Sequence, residues 1–136
     1  MTKTRGDLIR AWCEKGRRDF ITAQNSLLDT KEIFPDIICF HAQQAAEKYL
    51  KAYLVFLEQE FPKTHALEDL VLLASSKDPV SRNLFAVACD LTPYAVEIRY
   101  PDSPSPSLED AREAVHAAEA IRNYILGKIQ LTKIKP

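Results

Sequence analysis

Hydrophobic residues recur at three- and four-residue steps along most of the chain, with polar residues at the positions between them. This spacing is typical of amphipathic α-helices, and the two-residue alternation of a half-buried strand is nearly absent. The pattern predicts three long helices, over about 6–28, 35–60 and 107–129, and two shorter ones, over about 66–75 and 79–91. The predicted fold class is therefore all-α.

Residues that start or stop helices stand between these segments. Asp36 and Asp78 are each placed to accept a hydrogen bond from the first free amides of a helix, and Ser107 with Asp110 has the spacing of a capping box. Proline disfavours helix in the residue before it, and four prolines fall in segment 92–106. That segment is the longest irregular one, and loops of this kind often carry function.

Composition indicates one domain. The 136 residues are 46% hydrophobic and 27% charged, the balance of a single globular core. We predict one domain over 1–136, with a core over about 7–129 and a tail over 130–136. Lys and Arg number 18 against 19 Asp and Glu, so the net charge of -1 provides no overall field for a polyanion such as RNA. Any nucleic-acid contact would need a local patch.

The N-terminal residues and the cysteines bear on location. The first residues are charged throughout and lack the apolar core of a signal peptide, and no apolar run is long enough to span a bilayer. We therefore expect a cytoplasmic protein that makes no membrane contact. Cys13, Cys39 and Cys89 are odd in number and widely spaced, which favours reduced structural thiols over a disulfide framework or a zinc site.

The densest polar group lies in the second predicted helix. Gln43, Glu47 and Lys51 recur at four-residue steps roughly opposite the apolar stripe, with Gln44 and Lys48 beside them. One interpretation is a solvated face supported by a Glu47–Lys51 ion pair. The other is an interface or ligand-binding face, because adjacent glutamines supply several hydrogen-bond donors and acceptors.

A second candidate is the corner FPKTHALEDL, where Lys63 and His65 lie at the start of a predicted helix. A helix N-terminus beside a lysine can hold a phosphate, which is the functional interpretation. The alternative is a structural corner, in which Thr64 or His65 caps the helix and His65 makes a local hydrogen bond.

The third candidate, EIRYPD, lies in the irregular segment. The guanidinium of Arg99, which can bind a phosphate or carboxylate through two hydrogen bonds, stands beside the ring of Tyr100 and near Asp102. This is the best single ligand candidate in the sequence. In the alternative, Arg99 bonds Asp102 to order the loop, and Tyr100 fills the core.

Familiar catalytic motifs are absent from the sequence. It contains no HExxH, P-loop, GxSxG or GxGxxG, and its histidines are too scattered to propose a metal site. Acid–base cleavage of RNA would need a histidine paired with a cation, and His65 with Arg99 forms such a pair only if the fold joins them. His116, near Arg112 on the last predicted helix, is expected to be a surface residue.

Together, the QQAAEKYLKAYL helix, the PKTHALEDL corner and the RYPD segment ahead of an alanine-rich last helix resemble the HEPN domain family, the higher-eukaryote and prokaryote nucleotide-binding domain. The resemblance covers about residues 7–129. It implies an up-and-down bundle of four or five helices, similar to the C-terminal domain of kanamycin-type nucleotidyltransferases, that assembles as a homodimer. It also implies pairing with a minimal nucleotidyltransferase in toxin–antitoxin-like modules.

One departure separates this sequence from the HEPN ribonucleases. Those proteins carry, on one helix, an arginine followed by a polar residue and, a few residues further on, a histidine. Arg112 and His116 come nearest, in REAVH, but they are one residue too close and Glu113 follows the arginine. The resemblance therefore indicates the RYPD-bearing branch of the family, without the ribonuclease motif.

The resemblance maps family residues onto the three candidate sites. These residues are Gln43, Gln44, Glu47, Lys48, Lys51, Lys63, Thr64, His65, Arg99, Tyr100, Pro101 and Asp102. The leading hypothesis is a non-catalytic, homodimeric binding module for a nucleotide such as ATP, for a nucleotidyltransferase partner, or for both, with no metal or other cofactor. The rival is a metal-independent endoribonuclease acting on RNA. Its catalytic groups would come from His65, His116, Arg99 and Arg112.

Overall fold

The computed structural model describes residues 2–95, 101–102 and 104–130, and within them the chain is helical and contains no strand. The α-helices are α1 (Arg5–Leu27), α2 (Pro35–Phe56), α3 (Leu67–Ser75), α4 (Phe85–Leu91) and α5 (Leu108–Ile129). Short 3₁₀ turns cover Pro79–Leu84, directly before α4, and Thr92–Ala95, directly after it. The predicted all-α fold is confirmed.

The second helix is the centre of the bundle. α1 packs along one side of α2, α5 packs along another, and α3 and α4 contact each other and α2. Trp12 contacts Lys51 and Asp19 contacts His41, so α1 and α2 run antiparallel. Because α2 is covered on several sides, 13 of its 22 residues are buried.

The close approach of α1 to α2 depends on Gly16. A Cβ atom at this position would lie 3.0 Å from Cε2 of Tyr49. Tyr49 is only 2% exposed, so its ring is enclosed by the packed core and cannot easily move away. The backbone of α1 therefore lies directly against an aromatic ring of α2.

Capping boxes begin the first and last helices. As predicted, Oγ of Ser107 accepts a hydrogen bond from the Asp110 amide at 3.0 Å, and the Asp110 carboxylate accepts one from the Ser107 amide at 2.9 Å. Thr4 forms the same reciprocal pair at α1 with the residue three positions later. The cap expected from Asp36 is wrong, because α2 starts one residue earlier, at Pro35, and no side chain caps it.

Asp78 does not cap a helix either. Its Oδ2 atom accepts hydrogen bonds from the hydroxyls of Tyr53 at 2.5 Å and Tyr124 at 2.6 Å. Burial raises the pKa of Asp78, but these two hydroxyls, the charge of Lys128 and the Val80 amide together hold the pKa below its usual range. The carboxylate therefore joins α2 to α5, and the helix expected from residue 79 starts as a 3₁₀ turn.

Two cations close the C-terminal end of α2. The guanidinium of Arg5 donates to the carbonyl of Phe56 at 2.5 Å, and Nζ of Lys77 donates to the next two carbonyls at 3.1 and 3.0 Å. Positive groups are favourable at this end of a helix. Glu58 has a left-handed backbone with φ of 56°, so α2 ends at Phe56 instead of near residue 60.

The cysteines differ in exposure. Cys13 and Cys39 are buried and Cys89 is exposed, and all three are free thiols. Burial raises the pKa of Cys13 to about 11, so this side chain stays a neutral thiol in the core. Within the described part of the chain, no helix is both long enough and apolar enough to cross a membrane.

Candidate functional site

The polar residues of α2 fall into two classes. Gln43, Glu47 and Lys51 are buried, with exposed fractions of 0%, 5% and 9%, whereas Gln44 and Lys48 are partly exposed. The interpretation of a solvated face is therefore wrong for the first three. The ion pair that it included is present, with 3.0 Å between Nζ of Lys51 and Oε2 of Glu47.

We call Gln43, Glu47, Lys51 and His65 the Glu47 cluster. Oε1 of Glu47 lies 2.8 Å from Nδ1 of His65 and accepts a hydrogen bond from Nε2 of Gln43 at 3.2 Å. The Gln43 amide also donates to the backbone carbonyl of His65 at 3.2 Å. Both the side chain and the backbone of His65 are therefore bound to α2, which positions the corner before α3.

Glu47 is ionised in this cluster. Burial raises the pKa of Glu47, but the hydrogen bonds from His65 and Lys51 and the charge of Lys51 together hold the pKa below its usual range. The Lys51 ammonium also lies 5.4 Å from the ring centroid of Trp12, a favourable cation–π distance. A carboxylate at this position makes Nδ1 of His65 the proton-bearing nitrogen in their shared bond.

His65 is the exposed member of the Glu47 cluster. Its side chain is 61% exposed, whereas that of Glu47 is 6% exposed. When Nδ1 is directed at a carboxylate, the other ring nitrogen, Nε2, remains for a ligand. Lys63, two residues earlier, is also exposed. The corner therefore presents an oriented imidazole close in sequence to an exposed ammonium.

The start of α3 differs from the expectation. Neither Thr64 nor His65 caps the helix: Oγ1 of Thr64 accepts from the amide of Ala66 at 3.0 Å, outside the helix. The amide of Leu67, the first helical residue, donates to Oγ1 of Thr92 at 2.9 Å. One amide that a phosphate would use at this helix end is therefore already bonded, which leaves side chains as the main donors of the corner.

A second polar cluster, of which only Lys48 is among the candidates based on sequence, joins α1 to α2. We call Asp19, His41 and Lys48 the Asp19 cluster. Oδ1 of Asp19 lies 2.9 Å from Nδ1 of His41, and Oδ2 accepts from Nζ of Lys48. His41 and Lys48 are seven residues apart and lie on one face of α2, which the sequence does reveal. Their acidic partner lies on another helix, so the pattern of a single helix does not show the cluster.

Gln44 connects the two clusters. Its Nε2 donates to Oε1 of Gln43 at 2.7 Å, and Gln43 belongs to the Glu47 cluster. Gln44 also lies three residues after His41 and four before Lys48, which places it on the face of the Asp19 cluster. The two clusters therefore form one polar tract along α2.

Comparison with known proteins identifies this arrangement of helices. The family model of the HEPN domain matches residues 9–129. The chain belongs to the HEPN domain family. Two solved structures share the fold of this chain. TT1696 from Thermus thermophilus is 29% identical, with a TM-score of 0.75 over 88% of this chain and 97% of that one. ST0689, an archaeal HEPN homologue, is 25% identical, with a TM-score of 0.69 over 89% of this chain and 97% of that one.

No curated protein matches the chain. The membership predicted from three sequence motifs is nevertheless confirmed by the family model, which spans all three of them.

The RYPD segment of this HEPN domain is only partly described. Arg99 and Tyr100 lie outside the described residues, so their contribution to ligand binding stays a prediction. Pro101 and Asp102 are described and exposed. The contact surface that the structure supplies for a candidate ligand is thus the corner around His65.

The remaining candidate pair, Arg112 and His116, is separate from the Glu47 cluster. Both residues are exposed on α5, as expected for His116, and both line a groove between α4 and α5. His65 contacts α2 instead. In the described ranges, no group of three or more His, Cys, Asp or Glu residues is arranged to hold a metal ion.

Proposed function

We propose that this HEPN domain is a binding module that holds a phosphate group of a nucleotide such as ATP at the corner before α3. The observation that carries the proposal is the bond between His65 and Glu47. Nδ1 and Oε1 are 2.8 Å apart, the carboxylate is buried and the imidazole is exposed. An imidazole fixed in this way offers its second nitrogen to a ligand without further ordering cost.

Phosphate is the ligand class that suits this corner. In the protonated imidazole both nitrogens donate, so Nε2 can bond a phosphate oxygen while Glu47 keeps Nδ1 in place. The opposite charges of Glu47 and Lys51 offset each other inside the protein. The exposed cation of the corner is then Lys63, which attracts an anion, whereas Glu68 and Asp69 in the first turn of α3 oppose it.

Arg99, Tyr100 and Asp102 complete the ligand site in this proposal. The Arg99 guanidinium would bind two further phosphate oxygens, and the Tyr100 ring would stack on the base.

The domain acts as a cytoplasmic homodimer and pairs with a minimal nucleotidyltransferase in a toxin–antitoxin-like system. Gln44 and Lys48, partly exposed on α2, supply contacts to a mate or partner. Sedimentation velocity tests the dimer, and copurification with a nucleotidyltransferase encoded beside its gene tests the partner.

Calorimetric titration with ATP, ADP and inorganic phosphate tests the ligand. Trp12 is the sole tryptophan of the chain and contacts Lys51 of the Glu47 cluster, so its fluorescence provides a second, independent signal. We expect His65→Ala to weaken ATP binding about tenfold, the equivalent of one charge-assisted hydrogen bond of about 1.4 kcal/mol. Lys63→Ala should weaken it by a smaller factor and reduce its dependence on salt.

His41→Ala is the matched control, because it removes a histidine that is also bonded to a carboxylate through Nδ1 but lies in the Asp19 cluster. The proposal expects this variant to bind ATP as the wild type does. Absence of binding by the wild type, or an equal loss in His41→Ala and His65→Ala, would reject the phosphate site.

A second candidate function is metal-independent cleavage of RNA. It is favoured by the same carboxylate–imidazole pair, since a histidine oriented by a carboxylate is the usual arrangement of a general base. His65 would accept the proton of a ribose hydroxyl, and Arg99 would stabilise the charge on phosphorus. Purified protein incubated with RNA and excess chelator should then cut RNA, and His65→Ala should lose the activity while His116→Ala keeps it. RNA that stays intact with the wild type rules out this candidate.

A further inference from the structure

A groove of about 670 Å³ lies between α4 and α5, within the size range of binding sites in proteins. None of its lining residues belongs to the Glu47 cluster or the Asp19 cluster. Its apolar lining combines small residues spaced three apart on α5 with larger ones from the α4 side. These residues are Ala114, Ala117, Ala120, Val87, Leu91 and Tyr94.

Acidic side chains border this apolar lining on both sides. Asp90 on α4 and Glu113 on α5 are exposed at the groove, and neither forms an ion pair within the ranges that the structure describes. Glu109 also lines the groove and lies 3.5 Å from the guanidinium of Arg112. The described lining therefore holds four carboxylates, including that of Asp110, against one guanidinium.

We infer that this groove docks a basic amphipathic helix of a partner protein. The apolar side chains of such a helix, recurring at three- and four-residue steps, would fill the apolar lining. Its lysines or arginines would extend along the edges to Asp90 and Glu113. The alanines of α5 leave room for a second helix to approach closely, as small residues do at helix contacts.

Other ligand classes fit the groove less well. A polyamine would use the carboxylates but leave the apolar lining in contact with water. A nucleotide phosphate would be repelled by Asp90 and Glu113. The groove therefore differs in charge from the corner around His65, and the inference does not depend on the proposed nucleotide site.

The contact is short. The lining of the groove on α5 runs from Glu109 to Ala120, about 16 Å at 1.5 Å per residue, or about three helical turns. Two or three apolar side chains of the partner helix would enter a groove of that length. We expect a Kd in the micromolar range, as for small transient interfaces, with a strong dependence on salt.

Fluorescence anisotropy of a labelled, designed amphipathic helix of leucine and lysine tests this inference on the full chain. Ala120 lines the groove and is exposed, so Ala120→Trp should block the groove and weaken binding at least tenfold. The double variant D90N/E113Q leaves the groove open and should weaken binding about fivefold and reduce its salt dependence. Glu119→Gln, on α5 but outside the groove lining, removes one negative charge where the double variant removes two, and it should bind as the wild type does.

The outcomes separate the possibilities. Weakening in D90N/E113Q with wild-type binding by Glu119→Gln supports the inference, even if Ala120→Trp fails to fold. No binding by the wild type, or equal weakening in Glu119→Gln, overturns it. So does an Ala120→Trp protein that sediments as a smaller species, since the groove would then be a contact between copies of this chain. ATP titration of the same variants should be unchanged.

Discussion

The Glu47 cluster and the Asp19 cluster each combine a carboxylate, a lysine and a histidine, but they expose the histidine to different degrees. Each has a carboxylate that contacts a lysine Nζ and a histidine Nδ1. In the Glu47 cluster the carboxylate is 6% exposed and His65 is 61% exposed. In the Asp19 cluster the carboxylate is 14% exposed and His41 is 27% exposed. A buried carboxylate under an exposed histidine orients that histidine for a ligand, whereas a histidine enclosed between α1 and α2 joins the helices.

Burial also sets how much each carboxylate matters for stability. Lys51 is 11% exposed and cannot turn its ammonium to water without leaving the cluster, so it needs the charge of Glu47. Lys48 is 22% exposed and lies closer to solvent. Removing one member of a buried pair leaves an uncompensated charge, which costs far more than breaking a pair at the surface.

The largest expected effect follows from this difference. Glu47→Gln keeps the size and polarity of the side chain but leaves Lys51 buried without a counter-charge. We expect the free energy of unfolding to fall by about 3 kcal/mol, the usual cost of breaking a buried pair. Urea denaturation followed by circular dichroism measures it.

Asp19→Asn is the matched variant, and we expect it to cost about 1 kcal/mol because Lys48 and His41 are nearer to water. Comparable losses in the two variants would show that the clusters do not differ in the way their burial indicates. The denaturant slope should stay constant in both variants, so that a change in midpoint reports a change in stability.

A smaller effect of the same carboxylate should appear on lowering the pH. The ordinary pKa of a glutamate is 4.5, and that of Glu47 in the folded protein is lower. Its contribution to stability is therefore complete above pH 4.5. It shrinks as the pH falls below that value, because the unfolded state takes up the proton first, and is lost once the pH passes the folded pKa.

Glu47→Gln should flatten this part of the curve of unfolding free energy against pH. Asp78, Asp7 and Glu14, whose pKa values are also lowered in the folded protein, contribute to the slope in both proteins. A curve for Glu47→Gln that runs parallel to that of the wild type down to low pH would contradict the role assigned to this carboxylate.

A substitution at Gly16 changes the distance between α1 and α2, which should affect the two clusters differently. Gly16→Ala would push α1 away from Tyr49, and we expect a net loss of about 1 kcal/mol, from about 2 for overpacking less about 1 gained in helix propensity. Gly127→Ala, with nothing within 4 Å of the added Cβ, should instead stabilise the protein by roughly 0.5 kcal/mol.

The Asp19 cluster spans α1 and α2, whereas Glu47 and Lys51 lie on α2 alone. In the Gly16→Ala background Asp19→Asn should therefore cost less than in the wild type, while Glu47→Gln keeps its full cost. A double-mutant cycle for each pair measures this coupling. Equal coupling in both cycles would show that the helix spacing does not act through the Asp19 cluster.

The fold could be predicted because its signals are local. The apolar stripes place all five helices, and the capping box at Ser107 fixes the start of α5. The errors lie where a side chain has a distant partner. Asp78 bonds tyrosines of α2 and α5 instead of capping. α2 ends early because the backbone of Glu58 is left-handed, and distant cations, Arg5 and Lys77, bind the carbonyls of residues 56–58.

The sequence predicts which residues form the candidate site better than it predicts how they are buried and bonded. Glu47, Lys51 and His65 were singled out, and the ion pair at four-residue spacing was expected. Their burial was not, because the stripe of Glu47 and Lys51 faces Trp12 of α1 and the corner at His65 instead of solvent. Asp19 and His41 were missed because the Asp19 cluster exists only once α1 and α2 are packed together.

The smallest expected effect concerns the link between the two clusters. Gln44 donates to Oε1 of Gln43 at 2.7 Å, and Gln43 bonds Glu47 and the His65 backbone. Because Gln44 is partly exposed, water can replace its amide, so Gln44→Ala should lower the free energy of unfolding by only about 0.5 kcal/mol. If the link also holds the corner in place, the Gln44→Ala variant will open more often around His65 and bind ATP slightly more weakly. Faster amide hydrogen exchange of residues 63–66 would reveal that opening. Unchanged exchange there would mean that Gln43 and Glu47 alone hold His65, and that the two clusters, although joined by a hydrogen bond, act independently.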